Sequence, residues 1–283
     1  MDKNDHIIEV AKGRIQISDG EVTVISKPKI KSCPTWQRVL NISGELNEPI
    51  IKEIIERRME LGKLFQPDRI LESDNLIFSF GASELLFCAL NEGIIDAAVL
   101  VCDGAGTIIS DKPKVVQGVG GWMSGMIKTS PIPEIISRLE DLGTIVVDKE
   151  NAIINPLYGV QKAIENGYRN IAVTVAENDI DLIPKIKELE NGCNISILSI
   201  CTGAISKKEA QILTQADLVW SCASKEINEV VGPESIFTTR RCKPIYALST
   251  KGKKMILSGA SQYTSHMELF VTSEPTTQPY PYI

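Results

Sequence analysis

A chain of 283 residues, 43% hydrophobic and 23% charged, has the balance of a folded globular protein and can bury a core without disulfide staples. Its net charge is −6 and its basic runs (Lys207-Lys208, Arg240-Arg241, Lys251 to Lys254) are short and scattered, which argues against nucleic acid as the main ligand. The most apolar stretch, Ile94 to Cys102, is too short to cross a bilayer and the start, Met1 to Asp5, shows no signal-peptide pattern, so no membrane partner and a cytoplasmic location are expected.

Residues 6–26 alternate apolar and polar positions around turn pairs at Lys12-Gly13 and Asp19-Gly20, which predicts a three-stranded meander. Residues 27–46 read as irregular. Isoleucines at 50, 51, 54 and 55 among charges then predict an amphipathic helix over 47–62. Leu76 to Phe80 reads as a buried strand, followed by a helix from Gly81 to Leu90 and a strand from Ile95 to Val101, a βαβ unit. The glycine-rich stretch Gly118 to Thr129 reads as a loop, and Pro131 and Pro133 open a helix that runs to Asp141.

From Gly143 onward the pattern is regular. Strands near 144–147, 170–175, 195–200, 216–220 and 244–248 alternate with helices near 155–167, 179–190, 205–215 and 223–231. Runs such as Ile171 to Val175 are almost continuously apolar, as strands covered on both faces require. The fold class is therefore α/β, with a largely parallel, doubly wound sheet in the second half. The expected division is a meander plus α/β region over 1–142, a Rossmann-like domain over 143–271 and a flexible tail over 272–283.

Seven cysteines without one C-x-x-C pair exclude the common zinc-ribbon, thioredoxin and ferredoxin patterns. Ligands of open parallel sheets bind beyond the carboxyl ends of the strands, and that rule sorts the thiols. Cys102, Cys201 and Cys222 each follow a predicted strand, and Cys33 could reach the same face from its irregular segment. Cys88 falls mid-helix among leucines, and Cys193 and Cys242 precede strands at the opposite edge, so these three receive no role.

Three motifs carry candidate chemistry, each with an ordinary reading beside it. In Ser221-Cys222-Ala223-Ser224-Lys225, a helix start and Lys225 both favour the thiolate, but the pattern equally suits a buried thiol beside a cap. In Cys102-Asp103-Gly104-Ala105-Gly106, the glycines Gly104 and Gly106 let backbone approach a ligand and Asp103 could act as a base. A tight turn between strands asks for the same residues. In Gly118 to Gly125, the glycines Gly120 and Gly121 with Lys128 suggest an anion-binding loop, although Lys128 is misplaced for a P-loop. The histidines are His6 and His266 alone, which disfavours hydrolase triads and zinc proteases.

The segments Gly81 to Glu84, Cys102 to Thr107, Gly118 to Gly125, Lys128 to Pro133, Ala172 to Ala176 and Cys222 to Lys225, with Ser32-Cys33-Pro34, resemble the methanogenesis marker protein 8 family. The likeness spans Cys33 to Thr250. It implies an anaerobic setting and a link to one-carbon or coenzyme metabolism, and it carries over no catalytic residues. Residues 81–99 are also similar to the β-subunits of deazaflavin-reducing hydrogenases, which would imply a flavin or deazaflavin ligand.

Three functions remain open, and with them whether the protein is an enzyme. One is an enzyme with a cysteine-lined crevice in which Cys33, Cys102 and Cys222 hold a [4Fe–4S] cluster, shielded by anaerobic life. Another is metal-free, with Cys222 as nucleophile, Lys225 favouring its thiolate and Asp103 moving protons. The last is a non-catalytic assembly or maturation factor for an anaerobic enzyme. A small-molecule ligand or cofactor is expected, and a protein partner and a homo-oligomer stay open.

Overall fold

The computed structural model describes residues 5–239 and 243–262; Arg240, Arg241, Cys242, His266 and the tail over 272–283 lie outside them. The meander is present as β1 (Asp5–Val10), β2 (Gly13–Ser18) and β3 (Glu21–Ser26). Val10 pairs with Gly13 and Ser18 with Glu21, so each turn has two residues. Ala11, Lys12, Asp19 and Gly20 all take positive φ (55°, 64°, 50° and 83°), the backbone that a type I′ hairpin turn demands.

Within the segment expected to be irregular, Pro34 opens a short helix, α1 (Pro34–Val39). The amphipathic helix follows as α2 (Glu48–Gly62), capped by Asn47, whose side chain accepts from the Ile50 amide at 3.1 Å. Its Ile51, Ile54 and Ile55 pack on Ile8, Ile15 and Ile17 of the meander.

The strand expected over Leu76 to Phe80 is absent, so α3 (Ala82–Asn91) and β4 (Ala97–Cys102) do not belong to a βαβ unit. Glu84 supplies the reason. Its carboxylate accepts from the amides of Ile77 (3.1 Å) and Phe78 (2.9 Å), which a strand would have spent on a neighbour. β4 turns back into the antiparallel β5 (Gly106–Ser110), and α4 (Pro113–Gly120) absorbs the first glycines of the stretch read as a loop. β6 (Met126–Lys128) pairs with β1, and α5 (Pro133–Asp141) leads to β7 (Ile145–Val146).

The second half keeps the expected alternation. It runs through α6 (Pro156–Glu165), β8 (Asn170–Val175), a 3-10 turn over Glu177–Leu182, α7 (Ile183–Glu188) and β9 (Asn194–Ser199). Then come α8 (Lys207–Leu213), β10 (Leu218–Trp220), a π-helical turn over Ile227–Val231, β11 (Phe237–Thr238), β12 (Ile245–Ala247) and α9 (Thr250–Ser261).

Two sheets result, ordered β3-β2-β1-β6 and β11-β12-β10-β9-β8-β4-β5-β7. The larger is mixed: β10, β9, β8 and β4 run parallel at its centre, and both flanks are antiparallel. Alternate residues of its strands face opposite layers. Ala98, Ala172, Leu198 and Leu218 pack with α3, α4, α5 and α9, whereas Val99, Val173, Ile197 and Val219 pack with α6, α7 and α8. This sheet takes strands from both sides of the boundary expected at residue 142. Among the described residues, no helix is long and apolar enough to cross a membrane.

Candidate functional site

The strand-end thiols separate into two environments. Cys102 is 0% exposed within the layer formed by α3, α4 and α5, and burial pushes its thiol well above the usual cysteine range. Beside it Asp103 is spent on structure. Its Oδ1 accepts from Arg69 Nε at 2.9 Å and its Oδ2 from the Phe65 amide at 2.5 Å, all buried. Arg69 also donates to the carbonyls of Gly62, Ile70 and Val119.

The turn after Cys102 is equally closed. Thr129 Oγ1 accepts from the Gly104 amide at 2.8 Å and lies 2.7 Å from His6 Nδ1. Burial pushes His6 down to about 4, against the pull of Asp103 and Asp5, so its imidazole is neutral at pH 7. A methyl group at Gly104 would fall 2.9 Å from Ile132 and Ile135, and one at Gly106 would fall 2.2 Å from the Ala152 carbonyl oxygen. These glycines serve chain packing instead of a ligand. Of the two readings of this motif, the structure holds the tight turn.

The other environment is a cavity of about 460 Å³, a size typical of small-molecule sites. It opens beyond the carboxyl ends of β8, β9 and β10, where the topology places ligands. Cys33, Cys201 and Cys222 all line it, together with Trp36, Phe78, Phe80 and Trp220. Cys33 precedes α1, and Cys201 and Cys222 follow β9 and β10. The two strand ends are tied together by Thr202, whose hydroxyl donates to the Trp220 carbonyl and accepts from the Cys222 amide at 3.4 Å. Cys201 and Ala223 have φ of 55° and 44°, left-handed backbone outside glycine that is held only where surroundings enforce it.

Electrostatics gather on Lys243, which also lines the cavity. Burial would lower the pKa of its ammonium, but Cys222, Cys33 and Cys201 outweigh that and raise it. Cys201 is pushed up to about 12 by burial, helped by Glu9 and Cys222 and opposed by Lys243 and the Gly125 backbone. Asp179, on the same wall, is raised to about 6 by burial, and no hydrogen bond or ion pair reaches its carboxylate among the described residues. Glu84 holds the Phe78 to Ala82 wall in place; a methyl group at Gly81 would fall 2.1 Å from its Oε2.

Residues 6–261 match the family described as "Uncharacterized protein conserved in archaea (DUF2099)". The chain belongs to this family. An uncharacterized protein of Methanocaldococcus jannaschii is 40% identical to it over 259 residues, covering 90% of each chain. In this family member the remaining candidates fall outside the thiol set. Lys225 is exposed and pairs with Glu229 at 3.5 Å, and Lys128 is exposed and pairs with Asp5 at 3.7 Å. Gly120 and Gly121 do line the cavity, and the Gly121 amide is engaged by the Gln117 carbonyl at 2.8 Å.

Lys243 and Asp179 were not singled out by the sequence. Lys243 lies on the loop before β12, a position assigned to the edge opposite the crevice. β12 runs antiparallel to β10, with Ile245 opposite Trp220, so that loop meets the carboxyl end of β10. A change in strand direction moved the residue to the crevice side. The one available signal was the lysine directly before Pro244 and the strand.

Proposed function

We propose that the family member is an enzyme whose active site is the thiol-lined cavity and whose reacting atom is Cys222 Sγ. The observation that carries this is the meeting of Lys243 and Cys222 on one cavity wall, at the carboxyl end of β10. An ammonium beside a thiol can stabilise the negative charge that forms on sulfur as its proton leaves. The thiolate attacks an electrophilic centre of a ligand packed on Trp36, Phe78, Phe80 and Trp220, and Lys243 stabilises the charge that moves. Asp179, with its pKa near 6, is the wall residue suited to carry a proton at neutral pH, a part that the buried Asp103 cannot take. The likeness to methanogenesis marker proteins and the Methanocaldococcus relative support an anaerobic setting.

Iron–sulfur chemistry is a second reading, favoured by three thiols from separate segments on one wall, with Cys201 in place of Cys102. Against it, among the described residues no three cysteine, histidine, aspartate or glutamate side chains are grouped to hold a metal ion.

The test is the rate of Cys222 alkylation by iodoacetamide, read by peptide mass spectrometry under anaerobic conditions. Cys222 is expected to react faster than every other cysteine, and with iron and sulfide present it is expected to stay accessible. A Cys222 that reacts no faster than an unfolded-peptide thiol contradicts the thiolate site. Stoichiometric iron uptake that protects Cys33, Cys201 and Cys222 together moves the assignment to the cluster.

A further inference from the structure

Arg58, in α2, is a buried cation that the proposed chemistry leaves unused. It is 0% exposed, and its Nε donates to the Trp122 carbonyl at 2.8 Å. Both terminal nitrogens are buried with no hydrogen-bond partner. Leaving a charged donor in that state is unfavourable unless something completes it. Burial lowers its pKa to about 10, while Cys201 and Asp103 favour its charge and Arg69 opposes it. Asp103 does not complete the guanidinium: its oxygens accept from Arg69 and Phe65, and no hydrogen bond joins it to Arg58.

The remaining surroundings lead to the cavity. The guanidinium carbon lies 5.0 Å from the centre of the Trp36 ring, and Trp36 and Cys201 are both cavity wall. Arg58 and Arg69 share one carboxylate, which leaves one positive charge uncompensated behind that wall. Lys243, on the wall itself, carries a further positive charge, placed beside the Cys222 sulfur. Two of the carboxylates on the wall are otherwise engaged. Glu84 accepts from Ile77, Phe78, Ser83 and Gln117, and Glu9 accepts from the Lys12 amide. Asp179 is the exception: raised to about 6, it is still mostly ionised at neutral pH and is, among the described residues, the one unengaged negative charge on the wall.

We infer that the cavity takes a ligand with an oxyanion group, received by Lys243 and Arg58 beside Cys201, and an apolar body that lies against the aromatic wall. The inference rests on the cavity being the thiol site and adds the class of its ligand. Arg58 is not itself part of the cavity lining, so the Trp36 ring, which touches the guanidinium and makes an edge contact with Phe78 at 5.9 Å, has to shift before an anion meets the two N–H groups. The gain is a bidentate charge-assisted contact where buried donors now stand unpaired.

Two alkylating probes of similar size, neutral iodoacetamide and anionic iodoacetate, test it. In both, Sγ displaces iodide, so the difference between them reads the field at the sulfur. The iodoacetate-to-iodoacetamide rate ratio at Cys222 is expected to exceed that of N-acetylcysteine amide about tenfold, equivalent to roughly 1.4 kcal/mol. Arg58→Gln is expected to lower the ratio about threefold. A wild-type ratio no higher than that of the small thiol overturns the inference, as does a folded Arg58→Gln protein with an unchanged ratio, which would mean that water completes the guanidinium. If Arg58→Gln does not fold, the wild-type ratio decides alone. No fast reaction with iodoacetamide defeats the thiol site itself, whereas fast reaction without preference for iodoacetate defeats only the anion.

Discussion

Cys102 and Cys222 both follow a strand of the parallel core, yet one is sealed and the other faces a cavity. The difference lies in what the chain does next. After β4 it reverses at once into β5, and Asp103, Gly104 and Gly106 are consumed by Arg69, Phe65, Thr129 and Ala152. After β10 it leaves the sheet through the Cys222 to Ser224 segment, and the space beyond the strand end stays open. The rule that ligands bind beyond strand ends thus applies where the chain leaves the sheet and fails where a hairpin fills the same space.

The strongest way to break this comparison is to attack the sealed side. Asp103→Ala leaves the Arg69 guanidinium buried and unpaired, and urea unfolding is expected to show a loss of about 3–5 kcal/mol. A loss below 1 kcal/mol would mean that the network is not structural. His6 gives the next largest effect. Its folded pKa, about 4, lies below the unfolded value of 6.5, so between these pH values the unfolded chain binds a proton that the fold refuses. Its stability contribution is present above pH 6.5 and is lost as pH falls toward 4, by about 3 kcal/mol. Urea midpoints between pH 7 and 4 are expected to fall less steeply in His6→Leu than in the wild type.

On the open side the expected effects are on reactivity more than stability. Lys243→Met is expected to slow iodoacetamide reaction at Cys222 about tenfold at pH 7. Lys225→Ala, which removes only an exposed pair with Glu229, is expected to change that rate less than about twofold. Reversed effects of these two lysines would restore the reading in which the helix start and Lys225 activate Cys222, and would remove Lys243 from the site.

Much of the architecture was legible because the period of hydrophobicity reports it directly. The meander with its two-residue turns, α2, α5, β8 and β9 stand close to where alternation and isoleucine spacing place them. Leu76 to Phe80 misled because an apolar run does not reveal that a glutamate will take its amides. Three of the thiols do meet in one cavity, Cys33, Cys201 and Cys222. Of the expected set Cys33, Cys102 and Cys222, Cys102 lies apart from the cavity, since local sequence shows a strand end but not whether a hairpin closes over it. Lys243 was hidden by strand direction, which depends on long-range pairing and has no local signature.

The most direct measurement is native-state alkylation of the intact protein under anaerobic conditions, with each cysteine followed by mass spectrometry. The account expects Cys222 to be labelled first, in a Lys243-dependent manner, and Cys102 to stay unlabelled until the protein is unfolded. Labelling of Cys102 as fast as Cys222 in the folded protein, or a Cys222 rate indifferent to Lys243→Met, would contradict it.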